Sequence, residues 1–170
     1  MFRKEKMQKI IVIGCPGSGK TTFAEKLRDK LDLPLYHLDA IWHRADKTNI
    51  SREDFDERLG EILCRDEWII DGNYSRTLER RMEACDGIFL FDLPVDVCIE
   101  GVLSRIGKKR PDMPWIETEL ESEFEREIRE FGSKNLPEIY RLLDKYKDGR
   151  RVFIFKSRDE AVLDETVSKM

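Results

Sequence analysis

The strongest constraint on this chain is the octet Gly14-Cys15-Pro16-Gly17-Ser18-Gly19-Lys20-Thr21. It fills every fixed position of G-x-x-x-x-G-K-T, the phosphate-binding loop pattern. The flanks are those the pattern requires. Lys9 to Ile13 form a short apolar, β-branched run that suits a buried parallel strand. Phe23, Leu27 and Leu31 recur at helical spacing after the loop. Gly14, Gly17 and Gly19 lack a Cβ, so the backbone can turn tightly and approach a ligand. Successive N–H groups then form an anion nest, reinforced by the positive end of the helix starting at Lys20. Cys15, Pro16, Ser18 and Thr22 complete the cradle. Lys20 can reach the outer phosphates, and the Thr21 hydroxyl can ligate Mg²⁺.

The remaining strands are legible as apolar runs. Leu33 to Asp39, Trp68 to Gly72, Gly87 to Asp92 and Val152 to Phe155 each follow or precede a helical pattern. Strands alternating with helices predict a three-layer α/β domain, a five-stranded parallel sheet with helices on both faces. At 170 residues the chain predicts a single domain over 1–170. Within it, an insert at about 40–66 can cover an acceptor, and a short lid at about 105–115 can close over phosphates. Ala40 to Ile50 reads as irregular. Ser51 with Asp54 caps a following helix, and Ser157 with Glu160 caps the last one. Ile116, Leu120, Phe124, Ile128 and Phe131 predict one long helix with a solvated acidic face.

In doubly wound folds, ligand groups gather at the carboxyl ends of strands. Two acids lie there. Asp39 ends the second strand, where it can position an acceptor or act as a base. Asp71 ends the third, where it can hold Mg²⁺ directly or through water. His37 and His43 flank Asp39 and read as packed or substrate-facing side chains rather than a metal set. Trp42 plugs the core edge or covers an acceptor. Arg76 is the candidate to pair with an anionic acceptor, while at least one of Arg80 and Arg81 reads as solvated. The basic run from Arg105 to Arg110 is the main local charge asymmetry. It reads as a lid over phosphates, a nucleic-acid patch or a solvated helix end; Arg105 and Arg110 are its candidate lid residues. Arg158 falls in a loop at a strand's carboxyl end, where an adenine ring can lie.

A net charge of -4 gives no general attraction to nucleic acid or anionic membrane. The basic amino-terminal segment, Met1 to Lys6, precedes an apolar run too short for a signal peptide or a span. Four scattered cysteines lack zinc spacing and suit a reducing cytoplasm; Cys15, beside cationic groups, is the one whose thiol pKa could be lowered.

Together these motifs resemble the adenylate-kinase-like family of small P-loop kinases, which includes shikimate and gluconate kinases. Asp71-Gly72-Asn73-Tyr74-Ser75-Arg76-Thr77 is similar to the D-G-F-P-R-T segment of adenylate kinases, with one extra residue and no proline. Leu38-Asp39 is similar to the strand-end acid of shikimate-type kinases. The loop octet, His37-Leu38-Asp39 and Asp71-Gly72-Asn73-Tyr74 resemble the bacterial proteins named topology modulation proteins. The resemblance implies ATP and Mg²⁺ as cofactors and transfer of the γ-phosphate to a small acceptor, a nucleotide or a hydroxyl metabolite. The alternative it leaves open is an ATPase or nucleotide-sensing regulator linked to DNA topology.

Overall fold

A computed structural model describes residues 6–168; the Met1 to Glu5 part of the basic amino-terminal segment lies outside them. Five strands form one parallel sheet: β1 (Lys9–Gly14), β2 (Leu35–His37), β3 (Trp68–Asp71), β4 (Gly87–Phe91) and β5 (Arg151–Phe155). Their order is β2-β3-β1-β4-β5, with β1 at the centre. This is the P-loop NTPase architecture that the alternation of strands and helices predicts.

Burial explains why β1, β3 and β4 are apolar over most of their length. Ile10 to Ile13, all of β3 and all of β4 are buried, so both sheet faces must be covered. Helix α1 (Lys20–Leu31) packs on β1, β2 and β3, with α8 (Leu163–Ser168) beside it. Its Phe23 meets Phe89, Phe91 and Phe155 at centroid distances of 5.2, 5.3 and 5.5 Å. On the sheet's other side α4 (Ser75–Ala84) packs on β1 and carries α3 (Arg52–Leu63) and α7 (Leu136–Tyr146). Helix α6 (Ser122–Lys134) bridges α7 and α5 (Val95–Arg105).

Four local expectations change. The second strand stops at His37, and Asp39 lies in the first turn of a short helix, α2 (Leu38–Trp42). Fully buried Leu38 anchors that turn, which closes through His43 N–H to Asp39 O at 2.9 Å. The stretch to Ile50 is therefore not irregular throughout; His43 and Asn49 then form a bridge. The helix expected from Ile116 starts only at Ser122. Residues 111–121 are held instead by side-chain ties to the preceding turn, and Gly107 N–H donates to Glu117 O at 2.7 Å. Finally, the Ser157 and Glu160 pair does form, with Glu160 N–H donating to Ser157 Oγ at 3.4 Å. It closes a turn, and the last helix begins later, at Leu163. Ser51 caps α3 as its sequence predicts, accepting from Asp54 N–H at 3.0 Å.

Candidate functional site

The loop between β1 and α1 is shaped by what its glycines exclude. Gly17 has φ +81°, and a Cβ there would lie 2.0 Å from the carbonyl oxygen of Cys98. Only glycine fits, because the loop rests directly on α5. Helix α1 begins at Gly19 with no side-chain cap and no acid in its first turn. Its opening N–H groups are left for an anion. The Ser18 hydroxyl is buried without a partner at the same place.

A clamp fixes the loop to the end of β3. Asn73 donates from Nδ2 to Gly14 O at 2.6 Å and accepts from Gly14 N–H at 3.0 Å. The backbone that presents Asn73 is held in turn by Arg81, which is fully buried. Its guanidinium donates to the carbonyls of Gly72 at 2.9 Å and Tyr74 at 3.2 Å, and to that of Asn73. Burial lowers its pKa to about 10. Arg80, by contrast, is exposed, so one member of that pair is the solvated arginine expected.

Asp71 lies behind the loop, 3% exposed. Its Oδ2 accepts from the Thr21 hydroxyl at 2.8 Å and meets His37 Nδ1 at 2.9 Å. Burial alone would lower the His37 pKa, but the hydrogen bond to Asp71 and its charge outweigh that and raise it. The other oxygen, Oδ1, is buried with no partner. An orphaned carboxylate oxygen beside the loop threonine fits a divalent cation that also takes phosphate oxygens and water. Among the described residues no cluster of three or more His, Cys, Asp or Glu suited to a metal is present. His43 Nδ1 donates to Asn49 Oδ1 at 2.8 Å, and its ring meets the Trp115 ring edge-on.

Two cavities open on this core. The first, of about 490 Å³, is bordered by the loop from Gly17 to Thr22, by Lys108 and by Arg158. The second, of about 630 Å³, is bordered by Pro16, Asp39, Trp42, Tyr74 and Trp115. Lys20, Arg105, Arg110 and Asp112 border both. The two arginines converge on one acid: Arg105 Nε lies 3.6 Å and Arg110 Nη1 3.2 Å from Glu117 Oε2, and Arg110 also pairs with Asp112 at 3.2 Å. Burial, then the charge of Arg110, lowers the Arg105 pKa.

Asp39 is oriented by Tyr74, whose hydroxyl donates to Asp39 Oδ1 at 2.7 Å. Tyr74 occupies a left-handed conformation, φ +39°, which costs on the order of 1–3 kcal/mol in a non-glycine residue. Its ring stacks on Phe55 at 5.2 Å, which holds it there. Burial, with the Asp39 charge, raises the phenol pKa, so it remains a donor.

Two sequence expectations are not brought to the cavities. Arg76 is solvent-facing and forms a two-pronged pair with Asp56 at 2.8 and 2.7 Å; it borders neither cavity. The Cys15 side chain is buried, 2% exposed, and points away to Ile128 O. Its contact with Cys98 and its burial raise the thiol pKa, more than Lys20 lowers it, reversing the expected direction. Arg158 donates to Gly17 O at 2.9 Å and Val97 O at 3.2 Å, which seats it beside the loop. Asn73, Tyr74, Arg81 and Asp112 carry much of the geometry, and sequence reasoning assigns none of them a role in the site. The Asp-Gly-Asn-Tyr segment was the available signal for the first two; nothing local marks the others.

Similarity to known proteins follows the same outline. Residues 7–83 match a family model described as chromatin associated protein KTI12. A shikimate kinase from Enterococcus faecalis is 38% identical over 61 residues, which cover 36% of this chain and 35% of that protein. The match thus spans about a third of the relative's length. Among solved structures, a shikimate kinase from Bacteroides thetaiotaomicron superposes with a TM-score of 0.56 at 19% identity, covering 96% of each chain. A shikimate kinase from Acinetobacter baumannii in complex with shikimate gives a TM-score of 0.61 at 16% identity, covering 97% of this chain and 91% of the other. At these identities the superpositions establish the fold. No helix among the described residues is long and apolar enough to cross a membrane.

Proposed function

We propose that this protein is an ATP-dependent phosphotransferase of the small P-loop kinase type, moving the γ-phosphate of ATP to a hydroxyl of a small molecule. The observation that carries the reading is the shared wall. Lys20, Arg105, Arg110 and Asp112 border a cavity on the loop side and a second on the Asp39 side. Two ligand spaces meeting at a lysine and two arginines suit transfer of a charged group between them.

In this reading the loop amides and Lys20 hold the phosphates, and Arg158 flanks the nucleotide. Mg²⁺, when bound, neutralises phosphate charge; Thr21 and Asp71 would hold it, the carboxylate directly or through water. Asp39, turned by Tyr74, takes the proton of the acceptor hydroxyl. The acceptor oxygen forms its bond to the γ-phosphorus as the bond to the ADP oxygen breaks. Arg105 and Arg110 steady the charge in transit as the segment 105–115 closes, excluding water. The free cysteines fit a reducing cytoplasm.

A phosphoryl-transfer screen of nucleoside monophosphates and hydroxyl metabolites tests this. Labelled product from at least one acceptor, lost in Lys20→Ala, is the expected result. A second reading has one specific support, the match of the loop-bearing part of the chain to the KTI12 family model: a nucleotide-hydrolysing regulator linked to DNA, without an acceptor. Slow hydrolysis unaffected by any acceptor, with DNA affinity falling steeply with salt, would favour it.

A further inference from the structure

The ladder between β1 and β3 outlasts the β3 backbone. Its register runs from Lys9 with Trp68 to Val12 with Asp71. Gly72 N–H still donates to Val12 O at 3.2 Å. There the backbone turns away, with φ +138° at Gly72 and +39° at Tyr74. Gly14, the first residue of the phosphate loop, pairs with a side chain instead. Asn73 donates from Nδ2 to Gly14 O at 2.6 Å and accepts from Gly14 N–H at 3.0 Å. A side-chain amide carries the same donor and acceptor as a peptide group. Asn73 therefore continues the ladder after the strand itself has left it. On its other flank Gly14 meets β4, where a Cβ would lie 2.5 Å from Phe91 O.

The departing backbone serves the second cavity, which Gly72, Asn73 and Tyr74 all border. The Tyr74 hydroxyl donates to Asp39 Oδ1 at 2.7 Å. Gly72 lies under the turn that carries Asp39, so closely that a Cβ there would be 3.0 Å from Leu38 Cβ. The carbonyls of all three residues are held by the buried guanidinium of Arg81. Consecutive side chains on one fixed segment thus hold the start of the phosphate loop and the acid of the other cavity.

We infer that Asn73 is a positioning residue for phosphate binding and transfer. Acting through Gly14, it sets where the loop begins. Acting with Tyr74, it keeps the loop and Asp39 at a fixed separation; this second role rests on the phosphotransferase reading above. Only a primary amide supplies both bonds, and a one-carbon longer arm would shift the loop.

Calorimetry on the full chain measures MgATP and inorganic tripolyphosphate binding to wild type, Asn73→Ala and Asn73→Gln, well below each melting temperature. Tripolyphosphate engages the cradle without the nucleoside. Asn73→Ala should weaken both ligands by about tenfold, the scale of one or two lost hydrogen bonds, and leave their affinity ratio unchanged. Asn73→Gln should weaken both as well, and it decides the matter if the alanine variant fails to fold. Label transfer at saturating ATP should fall in the same variants, since small misplacements cost about 10²-fold in rate. A purely structural role would lower the melting temperature and leave both affinities as they were. Wild-type affinities in the folded variants, or wild-type transfer at saturating ATP, overturn the inference and leave the phosphotransferase reading standing. Weakened binding in the variants, with no transfer by the wild type to any acceptor, keeps the role of Asn73 in phosphate binding and removes that reading.

Discussion

The Thr21 hydroxyl donates to Asp71 Oδ2 at 2.8 Å, joining the first turn of α1 to the end of β3 across 50 residues of sequence. In the proposed reading a divalent cation would sit beside this bond, where the carboxylate's second oxygen is buried and unpaired. Asp71→Asn keeps the shape and removes the charge. The Mg²⁺ concentration giving half-maximal turnover should rise roughly tenfold or more, while Asp39→Asn lowers turnover without that shift. A Mg²⁺ titration of both variants checks this; the defect appearing only in Asp39→Asn would reverse the two roles.

Arg81 is the second expectation. It is fully buried and its partners are carbonyls of consecutive residues 72–74, which build the clamp on the loop. Arg81→Met fills similar volume but leaves those carbonyls unpaired. At about 1–3 kcal/mol for each buried group left without its partner, a loss of about 3 kcal/mol or more is expected in denaturant unfolding. Arg80→Met, at an exposed position, should change stability little.

The lid arginines give a kinetic test. Arg105→Ala and Arg110→Ala should each lower turnover at least tenfold, a figure set well under the roughly 10³–10⁵ that a transition-state arginine contributes. ATP affinity should weaken less, since Lys20 and the loop amides remain. Single-turnover rates and ATP titrations separate the two. Wild-type rates in both variants would return this cluster to a structural tie between Arg105, Arg110 and Glu117.

Gly101 sets two effects against each other. In a helix interior, glycine to alanine stabilises by about 1 kcal/mol. Here the added Cβ would lie 2.0 Å from Gly17 O, backbone that cannot swing aside. Overpacking of this kind costs about 1–3 kcal/mol, so the clash should prevail. Gly101→Ala is expected to lower the melting temperature and weaken ATP binding together, measured by thermal unfolding with and without ATP.

What was legible in the sequence follows from how local each signal is. The loop, the five strands and the Ser51 cap rest on contiguous residues, and β1 to β5 sit where apolar runs place them. Asp71 was legible as an acid ending a strand. The short helix carrying Asp39 was not, because a buried Leu38 continues the apolar run of the strand before it. Ile116 and Leu120 matched a helical period, yet Gly107 and the paired Arg105 and Arg110 hold that segment in another shape. Arg76 looked free to meet an anion until Asp56, 20 residues earlier, came beside it. Arg81 and Asp112 owe their burial to tertiary packing alone, which no spacing announces.

The central claim is transfer of phosphate, and one measurement addresses it most directly. Wild-type protein and Lys20→Ala are incubated with γ-labelled ATP, Mg²⁺ and the panel of hydroxyl acceptors, and label is followed into acceptor and into free phosphate. The account predicts labelled acceptor from the wild type, and loss of that product in Lys20→Ala with ATP affinity reduced by about 1.5–3 kcal/mol, the worth of a charge-assisted contact. Labelled acceptor formed equally by both proteins, or bound ATP giving only free phosphate with every acceptor, would contradict it.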